Sequence, residues 1–391
     1  MMSQKVDRSA DAAHTVRRIL ILFSDTGGGH RSSARAVAQA LEDAYDQRVH
    51  VTLVDLLADY APWPLNRLAK VYPYMVCLKG AGWAAGYHLS NGALRVRIFL
   101  ALFWPWVRPA LRRLFDEHPA DVVLSCHPLF NHLPRRILMN IGIPLITLVT
   151  DLASAHAFWC DPDVDRCLVP TEAGRRQALA NGTPAERILL TGLPVERRFV
   201  SIADESPQDV RRRLGVDPHR PLVLLVGGSE GMGPVYRLSR KLARRQTPVQ
   251  MVIVTGRNRK LCERLSAERW PLPVSVQGFV DNMHEWMRAA NLLVTKAGPS
   301  TICEALVLGL PMVICGALPG QERPNVDYVV AAGAGVWAPT PEQVVAEVSN
   351  LLTSEHARLR VMAERAQALG RPDAARWVAQ VVWDAAGSSR V

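Results

Sequence analysis

Ile19-Leu20-Ile21-Leu22-Phe23 is followed directly by Ser24-Asp25-Thr26-Gly27-Gly28-Gly29-His30. An uninterrupted apolar run of this length suits a strand buried on both faces of a parallel sheet. The glycines turn the chain sharply, and Ser32 or Ser33 is placed to cap a helix that runs to about Tyr45. Some two hundred residues later the pattern starts again. Pro221-Leu222-Val223-Leu224-Leu225-Val226 precedes Gly227-Gly228-Ser229-Glu230-Gly231-Met232-Gly233.

Between and beyond these two openings, strand-like runs alternate with helix-length segments. They fall at Val49–Val54, Asp121–Ser125, Pro144–Thr150, Cys167–Val169 and Ile188–Thr191, then at Gln250–Thr255, Val274–Gln277, Asn291–Thr295 and Pro311–Cys315. Such alternation predicts an α/β fold of two Rossmann-like domains facing across a cleft. The expected division is a loose tail over 1–14, an N-terminal domain over 15–200, a C-terminal domain over 201–370 and a closing helix over 371–391. That last segment reads as amphipathic, with Trp377 and Trp383.

The chain has 391 residues, 49% of them hydrophobic and 21% charged, which excludes a disordered protein. Its net charge of +10 admits nucleic acid, an anionic membrane or a phosphorylated substrate as partner. Nucleic acid lacks any recognisable binding module here. The seven cysteines form no Cys-x-x-Cys pair, so neither a zinc site nor a disulfide framework is expected. No acidic cluster has metal-ligand spacing, and no metal or other cofactor is expected. The N-terminal residues carry no apolar leader. The longest apolar run, Ile98 to Val107, has ten residues, half of the roughly 20 that span a bilayer.

A glycine turn at the start of a helix offers backbone N–H groups and a partial positive charge, and phosphate is its usual guest. A plain βα connection uses the same turn without a ligand. Neither turn has the lysine of a Walker loop. In the first, Ser32 stands where a dinucleotide fingerprint needs its third glycine. More informative is Thr295-Lys296-Ala297-Gly298-Pro299-Ser300-Thr301-Ile302-Cys303-Glu304. Gly298 and Pro299 end a strand, Ser300 can cap the next helix, and amides of its first turn would face a diphosphate. Glu304 can accept hydrogen bonds from the two hydroxyls of a ribose. Ordinary stabilisation of the helix dipole is the alternative role for it.

These stretches occur together with Gly27-Gly28-Gly29-His30-Arg31-Ser32-Ser33-Ala34, Val149-Thr150-Asp151, Gly256-Arg257-Asn258, Gly278-Phe279-Val280 and Pro319-Gly320-Gln321-Glu322. In that set and order the sequence resembles the monogalactosyldiacylglycerol synthases and related diacylglycerol glucosyltransferases. More distantly it is similar to the N-acetylglucosaminyltransferase that completes peptidoglycan lipid II. The resemblance spans roughly residues 18 to 370. It implies a GT-B fold, a UDP-sugar donor, inversion at the anomeric carbon, and galactose or glucose passed to diacylglycerol.

By the same resemblance, uracil falls to Phe279 and Val280 and ribose to Glu304. The diphosphate falls to Gly228, Ser229 and Glu230 with Ser300 and Thr301, and the sugar hydroxyls to Gln321 and Glu322. Gly256 and Arg257 belong to the donor side, and Arg257 and Lys296 can neutralise the diphosphate. Two departures are local: Ser229 replaces a frequent third glycine, and Pro324 precedes Asn325 where many relatives have glycine.

Inverting transfer needs a base for the acceptor hydroxyl and charge stabilisation for departing UDP. His30, at the end of the first glycine turn, is the candidate base. Asp151 can orient or replace it. Other acceptors remain open, namely an undecaprenyl-linked sugar, a carotenoid or a sterol. So do a sugar-nucleotide epimerase and a UDP-sugar-binding protein without chemistry.

Tyr60 to Phe115 contains no acidic residue but has Arg67, Lys70, Lys79, Arg95, Arg97, Arg108, Arg112 and Arg113. It also holds Trp63, Trp83, Trp104 and Trp106. Tryptophan favours the lipid headgroup zone, and each cation near an anionic surface is worth roughly 1 kcal/mol. The segment predicts peripheral attachment to an anionic membrane, at the cytoplasmic face. A buried helical segment with a solvated basic face is the plainer alternative.

Overall fold

The computed structural model describes residues 16–25, 28–67, 86–231, 233–245 and 247–387. Outside the described residues lie the N-terminal tail, Thr26 and Gly27 of the first turn, Met232 of the second, and Lys70, Cys77, Lys79 and Trp83 of the basic segment.

Two six-stranded parallel sheets carry the architecture. The first contains β1 (Arg17–Phe23), β2 (Val49–Asp55), β3 (Val122–Ser125), β4 (Leu145–Leu148), β5 (Arg166–Val169) and β6 (Ile188–Leu190), in the order β2-β1-β3-β4-β5-β6. The second contains β7 (Leu222–Val226), β8 (Gln250–Val254), β9 (Val274–Gln277), β10 (Leu292–Lys296), β11 (Met312–Gly316) and β12 (Gly335–Trp337), in the order β12-β11-β10-β7-β8-β9. The opening strand of each half is central. Ile21 pairs with Leu53 on one side and Leu124 on the other; Leu224 pairs with Val252 and Leu293. Both strands are buried on both faces, which is why they read as unbroken apolar runs.

In each sheet the strand order reverses beside the opening strand, between β1 and β3 and between β7 and β10. Loops diverge there at the carboxyl ends of the strands, and ligands of such sheets bind in that crevice. The glycine turns after β1 and β7 sit at these two points, and so do the loops after β3 and β10.

The helix Ala374–Gly387 returns to the first sheet. Its Val378, Ala379 and Val382 pack with Ile19, Ile21, Val37 and Leu41. Trp383 stacks on Tyr45 at 3.9 Å, and the Arg17 guanidinium lies 4.0 Å from the Trp383 ring. The segment after β6 crosses the other way: Leu193, Val195, Phe199 and Ile202 pack into the core of the second half.

Two local expectations are corrected, and one strand was not foreseen. The first helix starts at Gly29, so Ser32 and Ser33 lie inside it; Gly28 occupies the cap in a left-handed conformation, φ +85°, with no side-chain cap. The helix Pro299–Val307 is likewise capped by Gly298, and Ser300 falls in its first turn. β12 lay outside the sequence reading because three residues are too short for a pattern.

Candidate active site

The first glycine turn delivers His30 as the second residue of its helix. The ring is half-buried and tightly held. Its Nδ1 is 2.7 Å from the Thr150 hydroxyl, and the ring hydrogen-bonds the Cys126 carbonyl. His127 meets it edge-on with centroids 4.7 Å apart. Burial pushes the imidazole down to about 4, against the opposing pull of that carbonyl and of Asp25. His30 is therefore neutral near pH 7, the protonation state a base requires.

Asp151 lies at the end of β4, close by but otherwise engaged. Its Oδ2 accepts from Trp159 Nε1 at 2.8 Å and its Oδ1 from Gln321 Nε2 at 3.0 Å. Burial raises its carboxyl, while those two donors favour the ionised form. With both oxygens occupied, Asp151 ties Gln321 of the second half to the first.

The second half builds a cradle from three turns. Gly228 (φ +73°) follows β7, Gly256 (φ +58°) follows β8, and Gly298 follows β10. Gly256 admits no substitute: a Cβ there would stand 2.3 Å from the Ser229 carbonyl oxygen. The Arg257 amide donates to that same oxygen at 2.7 Å, locking the two loops together. Lys296 reaches between the other two turns. Its Cε would lie 3.4 Å from a Cβ on Gly228, and its Nζ 3.4 Å from one on Gly298. An ammonium thus stands beside the glycine-lined amides at the start of the helix Pro299–Val307, a ready site for a diphosphate.

Lys296 also pairs with buried Glu322 at 2.5 Å, and Glu322 takes the Leu318 amide at 2.8 Å. The Glu304 side chain, in the second turn of its helix, makes no hydrogen bond to a described residue. Burial, and the nearby Glu196 carboxylate, raise it to about 7. Phe279 is exposed, with the Arg257 guanidinium 5.7 Å from its ring; Val280 packs against the core. Thr301 is half-buried behind Ser300 in the first turn.

The halves meet at the turns. A methyl group on Gly29 would lie 3.1 Å from the Ser300 hydroxyl, and one on Gly28 would lie 3.5 Å from Ser229. Asp25 pairs with Arg31 at 3.3 Å and with Arg257 at 3.2 Å, and Arg257 also holds Glu230 at 2.9 Å. Asn325 bridges as well: it accepts from the Ala153 amide at 3.1 Å and donates to the Ala297 carbonyl at 3.0 Å. Pro324 sits in the first turn of the helix Arg323–Ala331, where its missing N–H costs nothing. Within this junction the buried Gln321 Oε1 and Asp25 Oδ1 have no hydrogen-bond partner among the described residues.

Asp25, Trp159 and His127 border the site but were not singled out from sequence, and Asn325 was noted only for the proline before it. Of the first three, Asp25 gave a signal, through its place just before the glycines. Among the described residues no three His, Cys, Asp or Glu side chains group as metal ligands.

The basic segment supplies the helix Ala93–Glu117, which contains Pro105 and Pro109. Leu94, Ile98, Leu102 and Trp106, four residues apart, form an exposed stripe along it. Trp63 is exposed, as are Arg95 and Arg97. Trp104 differs: it is half-buried against the core, with the Arg136 guanidinium 5.2 Å from its ring. Among the described residues no helix is long and apolar enough to cross a membrane.

Two facing Rossmann-like halves, with a glycine-lined cradle in one and a half-buried histidine in the other, define a GT-B glycosyltransferase with a UDP-sugar donor. Residues 30–195 match the model of monogalactosyldiacylglycerol (MGDG) synthase, and residues 222–377 that of the glycosyltransferase family 28 C-terminal domain. Monogalactosyldiacylglycerol synthase of Spinacia oleracea is 36% identical over 389 residues, covering 95% of this chain and 73% of its own. Monogalactosyldiacylglycerol synthase 3 of Arabidopsis thaliana is 34% identical over 374 residues, covering 93% and 80%. Both are chloroplastic. The chain belongs to the monogalactosyldiacylglycerol synthase family.

Solved structures share its fold. MurG of Acinetobacter baumannii superposes with a TM-score of 0.59 at 17% identity, over 94% of this chain and 99% of that one. HepE of Anabaena, in complex with UDP-glucose, gives 0.57 at 16%, over 94% and 99%.

Proposed function

We propose that the protein transfers galactose from UDP-galactose to diacylglycerol with inversion, forming a β-galactosyl lipid at a membrane surface. The observation that carries this reading is the contact of the His30 turn with both Ser229 and Ser300 of the donor cradle. A sugar whose diphosphate rests on that cradle has its anomeric carbon beside the imidazole.

The diphosphate lies against the amides after Gly228 and Gly298, with Ser229, Ser300 and Thr301 as hydroxyl donors and Lys296 as the cation. Arg257 leaves Asp25 or Glu230 to add a second positive charge. Uracil lies along Phe279 and Val280, and the ribose hydroxyls donate to Glu304. Gln321 Oε1 and Glu322 read the sugar hydroxyls. The acceptor oxygen attacks the anomeric carbon as its proton passes to His30. The bond to the β-phosphate breaks, and its electron pair departs with UDP. Asp151 fixes Gln321 and Trp159 around the reacting centre and is a positioning residue.

The exposed stripe Leu94, Ile98, Leu102 and Trp106, with Trp63 and the cations Arg95 and Arg97, supports peripheral attachment to anionic lipid. Incubation with diacylglycerol in vesicles and either UDP-galactose or UDP-glucose, followed by lipid analysis, tests the reading. Monogalactosyl lipid from UDP-galactose is expected. Epimerised nucleotide sugar without glycolipid would overturn it.

A further inference from the structure

Behind the exposed stripe lies an open-mouthed apolar slot of about 90 Å3. Leu56, Phe99, Phe103, Leu111, Leu129 and Phe130 are among its walls. Among the described residues that line it, the one polar side-chain group is the Tyr60 hydroxyl, already hydrogen-bonded to Glu117 and His118. An occupant is therefore recognised by apolar contact alone.

The slot connects two functional features. On the outer side, Phe99 and Phe103 lie 4.4 Å apart on the helix Ala93–Glu117, and Phe103 reaches Trp106 of the exposed stripe at 6.1 Å. On the inner side, Phe130 stacks on His127 at 4.5 Å, and His127 meets His30 at 4.7 Å. Rings thus border the slot on both sides, toward the exposed stripe and toward His127, one side chain from His30.

We infer that this slot takes part of an acyl chain of the lipid acceptor, so that its glycerol hydroxyl emerges at His30. The inference rests on the proposed transfer to diacylglycerol. A chain drawn from the bilayer would pass Trp106 and Phe103 and lie against Leu129 and Phe130. The lipid would then be oriented by its tail, without any polar hold on its head. Each methylene so buried is worth roughly fourfold in affinity.

Two measurements test it on the full-length protein. A diacylglycerol with a diazirine at the end of one acyl chain, presented in vesicles, is expected to label the tryptic segment with Leu129, Phe130 and Leu133, and excess dioleoylglycerol should suppress the labelling. Second, Ala110→Phe fills the slot from its helix wall. It should raise KM for dioleoylglycerol by about tenfold or more, with a much smaller change for dihexanoylglycerol and unchanged UDP affinity as the check on folding. Labelling confined to 94–106, or equal effects on both chain lengths, would overturn the slot. Slot labelling in a protein that makes no glycolipid would instead remove the diacylglycerol transferase reading.

Discussion

The two glycine turns occupy equivalent places in the two sheets yet are furnished in opposite ways. The turn after β1 presents a histidine packed among Thr150, His127 and Trp159, with burial holding it neutral. The turn after β7 is interlocked with Gly256 and faces Lys296, with amides and a cation at the start of the next helix. In the proposed reaction the first supplies a proton acceptor and the second a seat for negative charge. A repeated βα unit can thus divide a transfer reaction into an acceptor half and a donor half, according to what surrounds each turn.

The sharpest way to break that division is His30→Ala. Loss of a general base should lower kcat by about a hundredfold to ten-thousandfold, while UDP affinity by calorimetry stays within about twofold of wild type. An equal fall in both would make the first turn part of the donor site. Glu304→Gln is the complementary test. Losing a charge-assisted hydrogen bond costs about 1.5–3 kcal/mol, so UDP should bind roughly ten- to a hundredfold more weakly, with little change in kcat at saturating donor.

The halves should also differ in pH response. His30 acts as the neutral imidazole and its pKa is lowered to about 4, so kcat should hold from neutral pH down to about 5 and fall as pH approaches 4. An unperturbed histidine would lose activity below about 6.5. Glu304 acts as the carboxylate and is raised to about 7, so UDP affinity should climb as pH rises through 7, a dependence absent in Glu304→Gln. The smallest effect is expected at the seam. Asp25→Asn removes a partly exposed ion pair with Arg257, worth at most about 1 kcal/mol, and should shift the donor KM by less than about fivefold.

Much of this was legible in the chain because central parallel strands, buried on both faces, must be apolar throughout. Ile19–Phe23 and Leu222–Val226 announce themselves, and the glycines after them mark where loops approach one another closely. The helix starts misled because serine is the usual cap, whereas here Gly28 and Gly298 take that place and Ser300 is freed to face the cleft. Contacts between distant residues left no local trace. Asn325 joins Ala153 to Ala297, and Gln321 reaches Asp151 from 170 positions away. No window of sequence holds both ends of such a bond. Trp104 and Trp106 read alike in a basic, aromatic segment, and only packing separates the one under Arg136 from the one on the surface.

Hydrogen exchange of backbone amides, with and without saturating UDP, tests the central division most directly. Protection is predicted at the turn around Gly228–Gly231, at Arg257 and across Ser300–Glu304, with little change from Gly29 to Ser33. Strong protection at the start of the first helix, with the donor-side amides unaffected, would contradict it.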